Sequence, residues 1–325
     1  MFMGVRDIHS RARVRDFLSR EETASLTETS DLRASVEVLA NFGVIAGAFA
    51  LLGLWPHPVT FIVSAVILAG RYVGLGILIH DAAHNALFRT PALNRVLGRW
   101  LFSGPTLIDF DTYRNGHLAH HRHAGTLEDP DLPFVHAYPV KPASMRRKLV
   151  RDLSGRTGVR DGLYLIAMTV RHGRLTSVVV HTAMFGGLYL LGMPWAYAAW
   201  WAGFIFVVPL CLRLRVMGEH GNVPDLLSKE PRLHARTTRA GWLARTLIAP
   251  NYVNYHCEHH FFPSVPGYNL PRAHALLEAR GFYEEHPDAC APSYLDVFRA
   301  CIGERADRPD IGELRHGKAS LANMA

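Results

Sequence analysis

Four almost uncharged apolar runs constrain what this 325-residue chain can fold into. Val36 to Trp55 holds one charge, Glu37 at its edge, and Val59 to Ile79 holds only Arg71. Val178 to Trp195 and Tyr197 to Leu212 follow a long polar stretch and hold no Asp, Glu, Lys or Arg. At 1.5 Å per helical residue, each run of about 16 to 21 residues approaches or reaches the hydrocarbon thickness of a bilayer. The mean hydropathy of +0.06 conceals this, because it averages the runs with the polar segments between them.

Charge placement favours membrane spans over the buried helices of a large soluble protein. All but three of the 35 Lys and Arg lie in residues 1–35, 80–177 and 218–325; the exceptions are Arg71, Arg213 and Arg215, in or at the ends of the apolar runs. The short connections, Pro56 to Pro58 and around Pro194, carry none. This is the positive-inside asymmetry, so both termini and the long middle segment are expected to be cytoplasmic. The predicted architecture is an all-α membrane protein: four transmembrane helices in two hairpins, 36–79 and 178–217, under a cytoplasmic helical cap. The cap is built from an N-terminal segment 1–35, a middle segment 80–177 and a C-terminal segment 218–325. Met1 to Ser35 is charged and lacks the apolar centre of a signal peptide, so the first span is expected to direct insertion. Arg95 to Phe110 is apolar but interrupted by Gly104-Pro105, and it reads as an interfacial or re-entrant helix. The glycines Gly43, Gly47, Gly74 and Gly76 read as close helix contacts rather than as room for a ligand.

Histidine supplies the chemistry. His-x-x-His-His occurs twice, at His117, His120, His121 and at His256, His259, His260, and His80 and His84 follow the second apolar run. With 19 His, one such triplet is expected roughly 0.07 times by chance, so the pair carries the argument. Residues three and four apart share a helix face, so each triplet is expected to aim its three nitrogens one way. The second run ends at Ile79, just before His80, and the fourth ends shortly before His220. An even number of spans therefore returns every box to one membrane face. Many neutral imidazoles suit iron, zinc, copper or nickel and not magnesium or calcium. Eight would overfill one zinc and better fit two six-coordinate irons. Paired Glu-x-x-His motifs and His-Glu-x-x-His are both absent. Asp81, Glu219 and Glu258 stand where they can accept the second ring N–H of a metal-bound His. His172, His181, His234, His274 and His286 lack a companion at ligand spacing and read as packing or surface residues, while His123, off the face of His121, reads as a surface residue or as a support for a ligand. Cys211, Cys257, Cys290 and Cys301 show no Cys-x-x-Cys spacing and are expected to be free thiols, with Cys257 packing rather than ligating.

The chain resembles the membrane fatty acid desaturases, a superfamily that also holds membrane hydroxylases and carotenoid ketolases. The resemblance rests on His80-Asp-Ala-Ala-His84, on Gly116-His117-Leu-Ala-His120-His121 followed by Glu128-Asp-Pro-Asp131, and on Asn254-Tyr-His256-Cys-Glu-His259-His260-Phe-Phe-Pro263 with Pro266 and Leu270-Pro271. It implies two iron ions, held by the eight box histidines with His220 of Met217-Gly-Glu-His220 as a ninth ligand. With O₂ and two electrons these would oxidise an unactivated C–H bond. A branch acting on acyl-CoA has Asn four residues before this His, where Val216 stands, which disfavours that branch.

No dinucleotide fingerprint, iron-sulfur pattern or fused cytochrome b5 motif is present, so a separate ferredoxin, rubredoxin or cytochrome b5 is expected to deliver electrons to the basic cytoplasmic face. The basic stretch Met145 to Arg174 reads first as a solvated positive-inside loop and second as a surface for anionic headgroups or an acidic partner. No nucleic-acid partner is expected. The substrate reads as an acyl lipid undergoing desaturation, with hydroxylation or ketolation of a carotenoid or other lipid as the alternative. A His-rich metal carrier is disfavoured, because the spans offer few polar residues beyond Arg71 and His181.

Overall fold

The computed structural model describes residues 12–304; the first residues of the N-terminal segment and the last of the C-terminal one lie outside it. Apart from a two-residue parallel pairing of Thr237–Thr238 with Cys290–Ala291, the regular structure among the described residues is helical. Two short helices, Val14–Phe17 and Arg20–Thr27, lead into two long ones. Helix α1, Asp31–Leu54, starts where Ser30 accepts a hydrogen bond from the Arg33 N–H, and α2, Pro58–Ala83, starts on a proline whose missing N–H costs nothing in a first turn. At about 36 and 39 Å each is long enough to cross a bilayer.

Helix α2 is the axis of the fold. Every residue from Leu68 to Ala83 is buried, whereas α1 turns Leu32, Val36, Leu39 and Val44 outward, as a lipid-facing helix does. Arg71 is accommodated inside by donating to Asn41 Oδ1 (3.0 Å) and to the Thr246 carbonyl (2.7 Å). The helix runs on past Ile79, so His80 is helical and His84 caps its end; the apolar run understated the helix because Asp81 and the two His are polar yet enclosed.

Past α2, the polar middle segment supplies α3, Phe110–His123, capped by Asp109, then α4, Pro142–Leu153, and α5, Arg156–Arg171. The stretch expected to re-enter or lie at the interface forms a short helix, a wide π-type turn at Gly98–Phe102 and a last turn that Leu107 ends at a φ of 60°. Helix α6, Leu175–Leu190, is apolar, but its 16 residues reach only about 24 Å. Helices α7, Tyr197–Phe206, and α8, Val208–His220, together pass as one span bent by 41°. Pro209 lies at the bend; it has no N–H for the Ile205 carbonyl one turn back. The expected four spans thus resolve into two long apolar helices, a bent pair that counts as a third if it crosses as one, and one helix too short to qualify by length.

Close packing uses other glycines than the sequence pointed to. Gly43, Gly47 and Gly76 have nothing near the place of a Cβ, whereas a Cβ on Gly203 of α7 would lie 2.4 Å from the Ala65 carbonyl of α2, and one on Gly70 the same distance from Thr246 O. Of the four expected contacts only Gly74 has a near neighbour, Asn41.

Candidate metal centre

The C-terminal ends of α2 and α8 meet α3 and two further helices, α9 (His256–Phe261) and α10 (Leu270–Ala279). Nine histidines converge there in two groups. His80, His84, His117, His121 and His259 form one; His120, His220, His256 and His260 form the other; within each, one nitrogen per ring lies within 4.8 Å of all the rest. Every histidine singled out as a ligand in the sequence is in one group or the other.

Each triplet divides between the groups rather than facing one way. Successive helical residues are rotated by about 100°, so an i, i+4 pair lies about 40° apart while the i+3 residue falls about 60° to the other side. His117 and His121 join the first group and His120 the second; His256 and His260 join the second and His259 the first. The two helices therefore stitch both groups together.

The spacing within the groups is also that of neighbouring ligands on one ion. In the first, Nε2–Nε2 separations are 2.9 Å for His80–His259, His84–His117 and His121–His259, and 3.1 Å for His117–His121. In the second they are 2.8 Å for His220–His256 and 3.2 Å for His120–His260. Adjacent ligands of a six-coordinate ion with bonds of about 2.1 Å stand about 3.0 Å apart, whereas a tetrahedron would spread them to about 3.4 Å.

Ring protons are placed to leave those nitrogens free. His80 Nδ1 donates to Asp81 Oδ1 (2.7 Å), His120 Nδ1 to Asp129 Oδ1 (2.8 Å) and His220 Nδ1 to the His234 carbonyl (2.8 Å). A carboxylate or carbonyl on Nδ1 fixes the tautomer and turns the Nε2 lone pair inward. Burial holds His256, His259 and His260 well below the ordinary imidazole value, keeping them neutral. His120 is the exception: burial opposes its charge, but Asp131 and Asp129 outweigh it and push it up to about 9, so near neutrality its Nε2 holds a proton that an ion would displace.

The flanking acids divide. Asp81 contacts a group member; Glu219 pairs with Arg215 at 2.8 Å and reaches only to 3.8 Å from His256 Nδ1. Glu258 faces away from both groups and is held by Thr237, His274 and Tyr283, because its place between His256 and His259 puts it on the opposite side of α9. His274 is thus part of a buried network rather than an isolated packing residue.

Two neighbours escaped the sequence reading. His234, on a short turn, donates from Nδ1 to Ser228 O at 2.8 Å, and its Nε2 stands 3.4 Å from His260 Nδ1. Asp129, nine residues after His120, had only its place in the Glu-Asp-Pro-Asp run as a signal. Cys257 lies in the apolar cluster of Phe261, Leu277 and Phe282, away from both groups. A void of about 30 Å³, enough for one or two water-sized molecules, opens on the second group between Tyr113, Phe134, Val135 and Val216.

Comparison with known sequences gives this arrangement a context. The profile of the fatty acid desaturase family matches residues 53–293, most of the chain. The chain belongs to that family. Among its relatives is a beta-carotene ketolase of Paracoccus sp. (strain N81106 / MBIC 01143), 30% identical over 266 residues, 76% of this chain and 93% of the relative. A beta-carotene ketolase of Paracoccus sp. (strain PC1) is 32% identical over 68% of this chain and 82% of its own length. An sn-1 oleoyl-lipid 12-desaturase of Picosynechococcus sp. (strain ATCC 27264 / PCC 7002 / PR-6) is 23% identical over 83% of each. As a member of this membrane-enzyme family the chain is an oxidoreductase of the desaturase and ketolase kind, with buried histidine clusters suited to two metals.

Proposed function

We propose that this protein is an O₂-dependent di-iron oxygenase that converts a ring methylene of a carotenoid-like hydrocarbon to a ketone. The observation that carries the substrate class is the higher identity to beta-carotene ketolases, sustained over most of both chains, than to the acyl-lipid desaturase. This exchanges the order of the two readings drawn from the sequence, where acyl desaturation stood first. Motifs shared by the whole superfamily could not separate them.

When bound, the two irons supply oxidation of an unactivated C–H bond with O₂ and externally delivered electrons. The protein's part follows from its residues. His80, His84, His117, His121 and His259 would hold one ion, and His120, His220, His256 and His260 the other. Asp81, Asp129 and the His234 carbonyl keep the tautomers of His80, His120 and His220 correct. Four ligands on the second side leave it more room for a small molecule, and the void beside Val216 and Tyr113 is there. Tyr113 lies parallel to His117 at 5.5 Å and closes that wall. Electrons would come from a ferredoxin, rubredoxin or cytochrome b5 docking on the basic cap, with both termini and all boxes on the cytoplasmic side.

Acyl-lipid desaturation is the second reading, favoured by a match that spans 83% of both this chain and the 12-desaturase. Expression in bacteria that accumulate β-carotene, with extraction of pigments and acyl lipids, separates the two. A ketone on the carotenoid ring is the expected product. New acyl double bonds with unchanged pigment would replace the first reading by the second, and a cell unaltered in both would refute both.

A further inference from the structure

Between α4, α5 and α8 lies a cavity of about 210 Å³ that the metal centre does not use. Lys148, Arg151, Arg160 and Arg213 line it together with Asp161, and Phe134 forms a wall shared with the small void on the second histidine group. The charges do not cancel. Arg213 is engaged with the fully buried Asp152 through contacts of 2.5 and 3.1 Å, and Arg160 with Asp161 at 2.6 Å. Arg151 comes only within 3.8 Å of the same Asp152, and among the described residues Lys148 forms no hydrogen bond or ion pair. Two cations are left over. Burial, and then the neighbouring Arg213 and Arg151 charges, lower the Lys148 ammonium below its usual range, a cost that an anion in the cavity would offset.

Where the cavity sits decides what the anion is. On α5, Val159, Leu163, Ile166 and Val170 fall at i, i+4, i+7 and i+11, one face, and all are exposed; on α4, Val150 and Leu153 are exposed as well. A helix that shows water such a stripe is unfavourable, whereas one lying in the membrane interface buries it among acyl chains. Helix α5 leads within a few residues into the apolar α6, so a bilayer that takes up α6 would hold the pair at its surface. Arg151 and Arg160, one residue after Val150 and Val159, then flank the stripe at headgroup level, with Lys148 behind them in the cavity.

We propose that this cavity binds the phosphate of an anionic phospholipid headgroup, with Lys148 and Arg151 as the principal contacts. The site is independent of the carotenoid or acyl reading of the metal centre. It turns the basic stretch of the middle segment from a solvated loop into a lipid anchor that sits one side chain, Phe134, away from the second histidine group.

Full-length protein in nanodiscs of phosphatidylcholine with phosphatidylglycerol, released into detergent and weighed by native mass spectrometry, tests this. Wild type is expected to retain phosphatidylglycerol. The double variant K148Q/R151Q should bind it about 25-fold more weakly, roughly fivefold per cation removed. R146Q/R147Q removes equal charge from exposed positions of α4 outside the cavity and should bind as wild type does. Lys148→Arg should retain the lipid, which separates recognition from misfolding. Equal losses in the two double variants, or none in K148Q/R151Q, would overturn the assignment. Thermal stabilisation by inorganic phosphate as strong as that by short-chain phosphatidylglycerol would overturn the lipid in favour of a free anion. Loss of turnover with an acidic electron-donor protein, at unchanged lipid retention, would overturn it in favour of a protein partner.

Discussion

Each imidazole has two nitrogens, and a ligand needs its proton on the one facing away from the ion. Asp129 performs this for His120 from a loop, at 2.8 Å. Asp129→Asn keeps a carbonyl acceptor but removes the charge, and it should weaken iron binding about 10- to 100-fold, read by titrating a chelator against the purified protein. His259→Ala should abolish turnover and lower bound iron while the protein still inserts, because His259 Nε2 bridges His80 and His121 at 2.9 Å each; metal analysis on membrane-extracted protein checks this. At this scale the sequence showed which histidines gather and hid their supports. Eight of the nine histidines stood at helical spacings that a single chain displays, and His220 entered only through the resemblance. The His234 contact to His260 spans 26 residues and the Asp129 contact to His120 crosses a turn, and no periodicity encodes either. Glu258 differs: two residues after His256 it is turned about 200° from it, so helix geometry alone carries it away from the box.

Helices were legible as far as hydrophobicity marks them. The first two apolar runs became α1 and α2, but the end of α2 was obscured because its last turn is polar and buried by the site it builds. The division of each triplet follows from the 100° step of a helix, yet it becomes visible only once the facing elements are known. Glycine roles were illegible, since Gly43 and Gly203 look alike until a neighbour is placed beside them. That neighbour makes a prediction. Gly203→Val puts a Cβ 2.4 Å from the Ala65 carbonyl and 3.2 Å from the Ala69 N, both backbone atoms of α2 that cannot swing aside. It should cost about 1 to 3 kcal/mol or more and lower the thermal unfolding midpoint, while Gly43→Val, with nothing within 4 Å, should leave the midpoint unchanged. Detergent-solubilised protein followed by scanning fluorimetry compares the two.

Across the whole molecule, the two groups exist because the ends of α2, α3 and α8 and the start of α9 meet at one place, so the centre stands only where the cap is folded. Acid should undo both. Burial lowers His234 to about 4 and holds His256, His259 and His260 well below the ordinary imidazole value, so the unfolded chain binds protons first. Stability from these groups is complete above about pH 6.5 and is lost as the pH falls toward 4, with His234 alone worth about 3 kcal/mol; the unfolding midpoint should drop across that window. Ligand number then sets an asymmetry between the ions. Removing one imidazole from the group of five leaves four, whereas removing one from the group of four leaves three. His84 belongs to the first and His220 to the second, and each lies at the C-terminal end of a long or bent span, so the two substitutions are matched in position. Wild type should carry two irons per chain. His220→Ala should lose one of them on brief chelation while His84→Ala keeps more of its two, and iron per chain measured after matched dialysis distinguishes this from a single shared site, in which both variants would lose metal together.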